Sequence, residues 1–576
     1  MKLLSILAAC ALISTGIEAK TFLFPEPQEV AWSGTAAPLS NHFKITGIDN
    51  KHVQKAADRY LSLIKKEKWV PVQVPTDKEF APTVNRRHEL QGLKVKVKDN
   101  KVKLDMDVDE SYDLHVPKNG GYATLSAPTW VGALRGLETF SQLVTSDENS
   151  KSKHHSGDLI VHGASISDTP RFGHRGILLD TSRNYYPVES ILRVIDAQAY
   201  NKMNVLHWHA TDSQSWPLEY KSHPELSDKG AYSAKEVYTP EDVQKVISYA
   251  EERGVRVVLE IDMPAHTASI KESHPDYMLC TDQFWAAYAA EPPAGQLNPL
   301  NEDALQLMKD LLKEGASTFP DTLIHAGGDE INTACWNLSK EVQDYVAKHN
   351  MSDTKEVWFE WTNKILDYIQ KDIPEKRPII WEDPIKDGGS YPKHTVVQTW
   401  LAPPANYTSI GHDVIVSNFD YFYLDCGHGG WVGDDNRYVS PAQVETPDDT
   451  FNYGGNGGSW CAPFKTWQRI YTYDMTYGVE KSHKGKILGG EVAMWSEQTG
   501  PTVLEGRLWP RSAAAAEIYW SGSYDKKGNR RTIKQVSERF YDWVYHLQAR
   551  GIDAEPVQPR YCATHPNACD LNDPNA

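Results

Sequence analysis

From about residue 170 onward, short apolar, β-rich runs alternate with stretches whose apolar positions recur at helical spacing. The first run covers 176–180. After Pro187, residues Ile191, Val194, Ile195 and Ala199 share one face, which predicts a helix. The second run covers 204–209, and a helix opening at Pro240, with Val243, Val246, Ile247 and Ala250 on one face, stops at Gly254. Further strands are predicted over 256–261, 322–326, 378–381, 394–398, 413–417 and 486–490, which brings the count to eight. Such alternation argues for parallel strands, and eight of them for an α/β chain with a closed (β/α)₈ TIM barrel over 169–545. A doubly wound sheet is the alternative, but no G-x-G-x-x-G fingerprint follows the first strand.

The texture differs before the barrel. Leu93-Lys-Val-Lys-Val97 alternates and reads as antiparallel strand, and 130–140 reads as a helix, giving a smaller α+β domain over 20–168. The Gly-rich segment 427–460 is read as a long surface excursion of a βα loop, and 546–576 as a tail.

Residues 1–19 combine a basic start with an apolar run ending in small residues, as a secretory signal peptide does, with cleavage expected after Ala19 or Gly16. No later stretch is apolar enough to span a membrane, so a secreted, extracellular protein is expected. Loss of the signal removes Cys10 and leaves Cys280, Cys335, Cys426, Cys461, Cys562 and Cys569. Six cysteines allow many pairings; order along the chain favours neighbours, 280 with 335, 426 with 461 and 562 with 569. Sequons at Asn337, Asn350 and Asn406 fit a eukaryotic secretory route, and the dibasic Arg86-Arg87 fits either a processing site or an ordinary solvated pair.

Composition changes this picture in one respect. With 60 Lys+Arg against 77 Asp+Glu the net charge is −17, which argues against nucleic acid as a partner. The 18 Trp and 28 Tyr beside 14 Phe are flat rings with polar handles, which suit stacking on sugars.

Barrel chemistry sits just past the carboxyl ends of the strands. Those positions carry Arg183, Asp212, His266, Asp329-Glu330, Trp381, Trp400, Tyr423 with Asp425, and Trp495 with Glu497. Glycoside hydrolysis needs an acid for the leaving oxygen and a nucleophile or base across the ring, and two sequence neighbours cannot easily flank a sugar from opposite faces. Glu330 therefore fits the acid, while Asp329 fits a carboxylate that orients a 2-acetamido group supplied by the substrate as its own nucleophile. Crowding of the two should raise the proton affinity of one, which suits the acid, and Gly327-Gly328 should let a ligand approach the backbone. His207-x-His209 places two imidazoles on one strand face, as zinc sites do, but beyond His266 and His325 no histidines follow at later strand ends, so no metal is expected.

His325-Ala-Gly-Gly-Asp-Glu330 resembles the signature of the β-N-acetylhexosaminidases of glycoside hydrolase family 20, and 180–183, 206–214 and 263–266 match as well. The resemblance runs from about 170 to 520 and is nearest to secreted fungal enzymes. It implies an exo-acting enzyme that removes terminal β-linked GlcNAc or GalNAc from chitooligosaccharides and glycoconjugates. It also implies retention through an oxazolinium intermediate, no cofactor, a homodimer, and a cleaved prosegment that stays bound, which a cut at Arg86-Arg87 would end at about residue 87. By resemblance Glu330 is the acid/base and Asp329 orients the acetamide, whose carbonyl Tyr423 binds. Trp381, Trp400 and Trp495 wall the sugar. Arg183, Asp425 and Glu497 bind its hydroxyls, and Asp212 and His266 support Glu330. The chain departs from the family in having Ser213 where paired acids are common and Ala265 where Gly is common.

Overall fold

The computed structural model describes residues 21–73, 83–147, 158–433, 438, 458–565 and 567–571. Seven strands form the amino-terminal sheet: β1 (Glu29–Thr46), β2 (Thr83–Val84), β3 (Leu90–Asp99), β4 (Tyr112–Val116), β5 (Gly121–Thr129), β6 (Val144–Ser146) and β7 (Leu159–Asp168). Their order is β2-β1-β3-β5-β4-β7-β6, with a further pairing of β1 to β7. The antiparallel reading of 93–97 is corrected here, because β3 runs parallel to both β1 and β5. Alternation reports which face is buried, and Leu93 and Val95 are indeed buried; it carries no information about a partner's direction. Direction follows from the connection, and the helix Lys51–Glu67 supplies the crossover that parallel β1 and β3 require.

The helix Trp130–Gln142 is buried along its whole length between this sheet and the barrel. Arg135 on it donates to the carbonyls of Arg253 and Gly254 and pairs with Glu110 at 2.7 Å, while Arg175 of the barrel meets the same carboxylate at 2.6 Å. Burial alone would raise the Glu110 carboxyl, but the two guanidiniums outweigh it and hold the group at about 2. Its folded value is thus below the ordinary 4.5, so its stabilising contribution is present above that value and is lost as pH falls toward 2. Glu110→Gln strands two buried cations and is expected to destabilise the protein by about 3–5 kcal/mol at neutral pH. A thermal midpoint equal to wild type would refute this.

The segment expected as a prosegment is woven into the fold: β1 pairs with β3 and β7, and Val53, Ala56, Ala57, Tyr60 and Ile64 of its helix are core residues. Arg86 and Arg87 lie in an exposed turn between β2 and β3. The tail expected from 546 begins inside the helix Ile533–Ala549, whose His546 and Leu547 are buried and which packs Trp543 on Phe24. A helical face continued by residues past the boundary explains the shift. Most of the 427–460 excursion lies outside the described residues.

All eight expected barrel strands are present. They are β8 (His174–Asp180), β9 (Val205–His209), β10 (Arg256–Glu260), β13 (Leu323–His325), β14 (Arg377–Trp381), β15 (Val396–Thr399), β16 (Asp413–Val416) and β17 (Ile487–Met494). They close in sequence order with every pairing parallel, and a small hairpin of β11 (Met278–Leu279) and β12 (Gln296–Leu297) is inserted after β10. The chain is therefore an α/β (β/α)₈ barrel preceded by an α+β domain. Inside, Val205, Val258, Leu323, Ile379, Val396 and Ile415 form an apolar layer. Two residues further along β9, β10 and β13, the inward positions are His207, Glu260 and His325, since side chains on one face recur with period two. No helix among the described residues is long and apolar enough to cross a membrane.

Candidate active site

Beyond the carboxyl ends of the strands lies a cavity of about 340 Å³. Of the residues expected from sequence, Arg183, His266, Asp329, Glu330, Trp400, Tyr423, Asp425, Trp495 and Glu497 line it. Asp212 and Trp381 do not; both are fully buried behind the wall, with the Trp381 ring 6.1 Å from that of Trp495. The cavity is also lined by Trp285, Glu291, Trp431 and Trp460.

Asp329 and Glu330 follow β13 through Gly327 and Gly328, both at positive φ. A Cβ on Gly327 would lie 1.8 Å from Asp262 Oδ1, so the space this glycine leaves is filled by the Asp262 carboxyl rather than by a ligand. The Gly328 N–H donates to Asp262 at 2.9 Å. Glu330 and His266 are themselves in the left-handed region, at φ 53° and 57°. Such strain costs about 1–3 kcal/mol per residue and concentrates at functional sites.

His266 joins the two carboxylates. Its Nε2 lies 3.3 Å from Glu330 Oε2 and 3.8 Å from Asp329 Oδ2, and its Nδ1 lies 3.1 Å from Asp212 Oδ1. Asp329 and Glu330 thus stand side by side on one imidazole, not across a cleft from each other. Burial opposes charge on His266, but Asp212 and Asp329 raise its proton affinity well above the ordinary value. The carboxyl whose proton affinity is raised is Asp329, first by burial and then by Asp262, with Glu330 contributing less; the expectation that crowding of the pair would serve the acid is corrected, because burial and a third carboxyl govern the effect.

Two further carboxyls are shaped by burial. Asp425 is pushed up to about 7, and Glu497 is raised by burial and by Glu291. Both line the cavity, and the buried Oδ1 atoms of Asp425 and Asp329 have no protein partner. Arg183 is held by Asp212 at 2.8 Å and by Glu291 at 2.5 Å, and its guanidinium lies 5.0 Å from the Trp495 ring centre. The Trp400 indole donates to Asp383 at 2.7 Å and stands parallel to Tyr423, with centroids 6.3 Å apart. Trp460 meets Trp400 edge-on at 5.7 Å and is 60% exposed, so it forms the rim.

The cysteines pair as sequence order favoured: Cys280–Cys335, Cys426–Cys461 and Cys562–Cys569. The first tethers the loop that carries Trp285 and Glu291; the second tethers the segments that carry Trp431 and Trp460. His207 and His209 each lie between two carboxylates, Glu491 and Glu260 about the first and Glu260 and Asp212 about the second.

The descriptions "Glycosyl hydrolase family 20, catalytic domain" and "beta-acetyl hexosaminidase like" match residues 172–523 and 23–143. Beta-hexosaminidase 1 of Coccidioides posadasii is 37% identical over 600 aligned positions, covering 99% of this chain and 98% of the relative. The chitooligosaccharidolytic beta-N-acetylglucosaminidase of Bombyx mori is 35% identical over 81% of this chain and 76% of its own. The chitobiase structure from Flavobacterium johnsoniae superposes with a TM-score of 0.72 at 27% identity, over 92% of this chain and 73% of that one. With a barrel, a paired carboxylate site and these relatives in agreement, the chain belongs to glycosyl hydrolase family 20, as a β-hexosaminidase.

Proposed function

We propose that the enzyme removes single N-acetylhexosamine units from the non-reducing ends of chitooligosaccharides and glycoconjugates, with the substrate's own acetamide as nucleophile. The observation that carries this reading is the placement of Asp329 and Glu330 together on His266. A direct double displacement needs carboxyls about 5 Å apart on opposite faces of the sugar, and an adjacent pair does not offer that.

Glu330 gives its proton to the glycosidic oxygen as the C1–O bond breaks and the electron pair leaves with the aglycone. The acetamide carbonyl oxygen forms the new bond to C1, closing an oxazolinium ring. Asp329 accepts from the amide N–H and stabilises the positive charge that develops there, while the Tyr423 hydroxyl donates to the carbonyl oxygen. Water then attacks C1 and gives a proton to Glu330 as base, while the C1–O bond of the oxazolinium ring breaks and its electron pair returns to the acetamide, so two inversions give net retention. Arg183, Asp425 and Glu497 bind the hydroxyls, and Trp400 and Trp495 cover the ring. No cofactor enters this scheme.

The Bombyx mori relative is described as chitooligosaccharidolytic, and the exposed rings of Trp431 and Trp460 offer the departing chain apolar surface at the mouth. Three disulfides and exposed sequon residues Asn337, Asn350 and Asn406 support passage through an oxidising secretory compartment. A time course on chitin oligomers tests the exo mode. Monomer and the oligomer shortened by one unit are expected as the first products; early internal fragments would overturn it.

A further inference from the structure

Beneath the cavity, six ionisable side chains of alternating character run from the barrel core to the acid. Glu491 Oε2 meets His207 Nδ1 at 2.9 Å, and His207 Nε2 meets Glu260 Oε2 at 3.0 Å. The same Glu260 oxygen meets His209 Nδ1 at 2.6 Å, and His209 Nε2 meets Asp212 Oδ2 at 2.8 Å. Asp212 then contacts His266, which contacts Glu330. The alternation follows from strand geometry. His207 and His209 are two apart on β9 and face inward together, and Glu260 of β10 stands level with His209 on one side and His325 on the other.

Glu260 is the hub of this ladder. Its other oxygen accepts from the Trp381 indole at 2.8 Å, which fixes the carboxylate where His209 needs it. No part of it is exposed, and it does not line the cavity. Burial opposes its ionisation, but the imidazoles of His209 and His207, both raised, outweigh burial and keep it a carboxylate. Burial likewise opposes charge on His209, and Glu260 and Asp212 outweigh it, lifting the imidazole to about 10. A doubly protonated His209 donates from both nitrogens, one to each carboxylate, and so ties Asp212 to the core. Gly176 is the space that admits Glu491: a Cβ there would lie 2.5 Å from Glu491 Cγ.

We propose that Glu260 is a positioning residue of the reaction: through His209 it orients Asp212 and hence the His266 imidazole that serves Glu330. The inference rests on Glu330 being the general acid. It predicts a defect in proton delivery, not in sugar binding.

Glu260→Gln keeps the shape and removes the charge. Whichever way the amide turns, His209 loses one counter-charge, and one of the two donors, Trp381 or His209, faces an NH₂ group. Proton delivery matters most for a poor leaving group, so kcat and KM should be compared on chitobiose and on 4-nitrophenyl N-acetyl-β-glucosaminide. The expected result is a fall in kcat of about 10–100-fold on chitobiose, KM nearly unchanged, and a several-fold smaller loss on the aryl glycoside. Glu260→Asp keeps the charge on a shorter arm and should fall between wild type and Gln; it carries the same comparison if the Gln variant does not fold. Equal losses on the two substrates, or wild-type turnover of chitobiose, would overturn the proposal. Glu330→Gln measured alongside separates the two ideas, because its near-normal turnover of chitobiose would defeat the acid assignment itself.

Discussion

Glu330→Gln is expected to lower kcat/KM for chitobiose by about 10³-fold or more. General acid catalysis by one side chain contributes about 10²–10⁴-fold, and each factor of ten corresponds to about 1.4 kcal/mol of barrier. A sugar alkoxide is a poor leaving group and cannot depart without a proton. A 4-nitrophenolate is a good one and largely can. The amide keeps the volume of Glu330 and its neighbourhood to His266, so the pocket and the binding of the sugar ring should survive. The loss on the aryl glycoside should therefore be smaller by an order of magnitude or more, and KM for both should change little. Equal losses on both substrates would point to a damaged pocket instead of a missing acid, and full activity on chitobiose would remove Glu330 from its role.

Much of this site was legible because a barrel converts strand order into a ring. Once the eight apolar runs were counted, the residue after each carboxyl end had to face the same rim, whatever its distance along the chain. That logic placed Arg183, His266, the Asp329-Glu330 pair, Tyr423, Asp425 and Glu497 in one cavity. It failed where contacts are not set by strand ends. Glu291 reaches Arg183 from a loop 108 residues away, held by the Cys280–Cys335 bridge, and no periodicity marks it. Trp381 sits at a strand end but occupies the last inward position of β14, so it is buried under the floor, bonded to Glu260, and does not line the wall. Asp262 was within reach of the same rule, since it follows β10 almost directly.

The ladder below the site was half visible. The His207-x-His209 spacing showed two imidazoles on one face, which is also what a zinc site shows. The partners of these imidazoles come from the neighbouring strands. Glu260 of β10 and Glu491 of β17 bring carboxylates to the ring nitrogens, and a sequence without pairing registers does not say which residues of adjacent strands stand level.

Asp329→Asn is the second substitution with a large expected effect, and its pattern should differ from that of Glu330→Gln. Asp329 is buried beside Asp262, and burial and that neighbouring carboxyl outweigh the His266 imidazole, so its ionised form is disfavoured. A positively charged oxazolinium nitrogen changes that balance, because it supplies the counter-charge that burial denies. The carboxyl is thus weakly engaged in the ground state and strongly engaged as charge develops, which is the condition for lowering a barrier. Asparagine can still accept from the amide N–H but carries no charge, and a loss in kcat of about 10²–10³-fold is expected, comparable to removal of one preorganised contact to a developing charge. In the proposed scheme, closure of the oxazolinium ring is required whatever the leaving group. The loss should therefore be similar on chitobiose and on the 4-nitrophenyl glycoside, in contrast to the leaving-group dependence expected for Glu330→Gln. Wild type should also turn over an N-trifluoroacetyl analogue far more slowly than the N-acetyl substrate, since fluorine drains electron density from the attacking carbonyl. Equal rates on the two analogues would mean that the acetamide is not the nucleophile, and a carboxylate such as Asp425 or Glu497 would have to be sought as the attacking group.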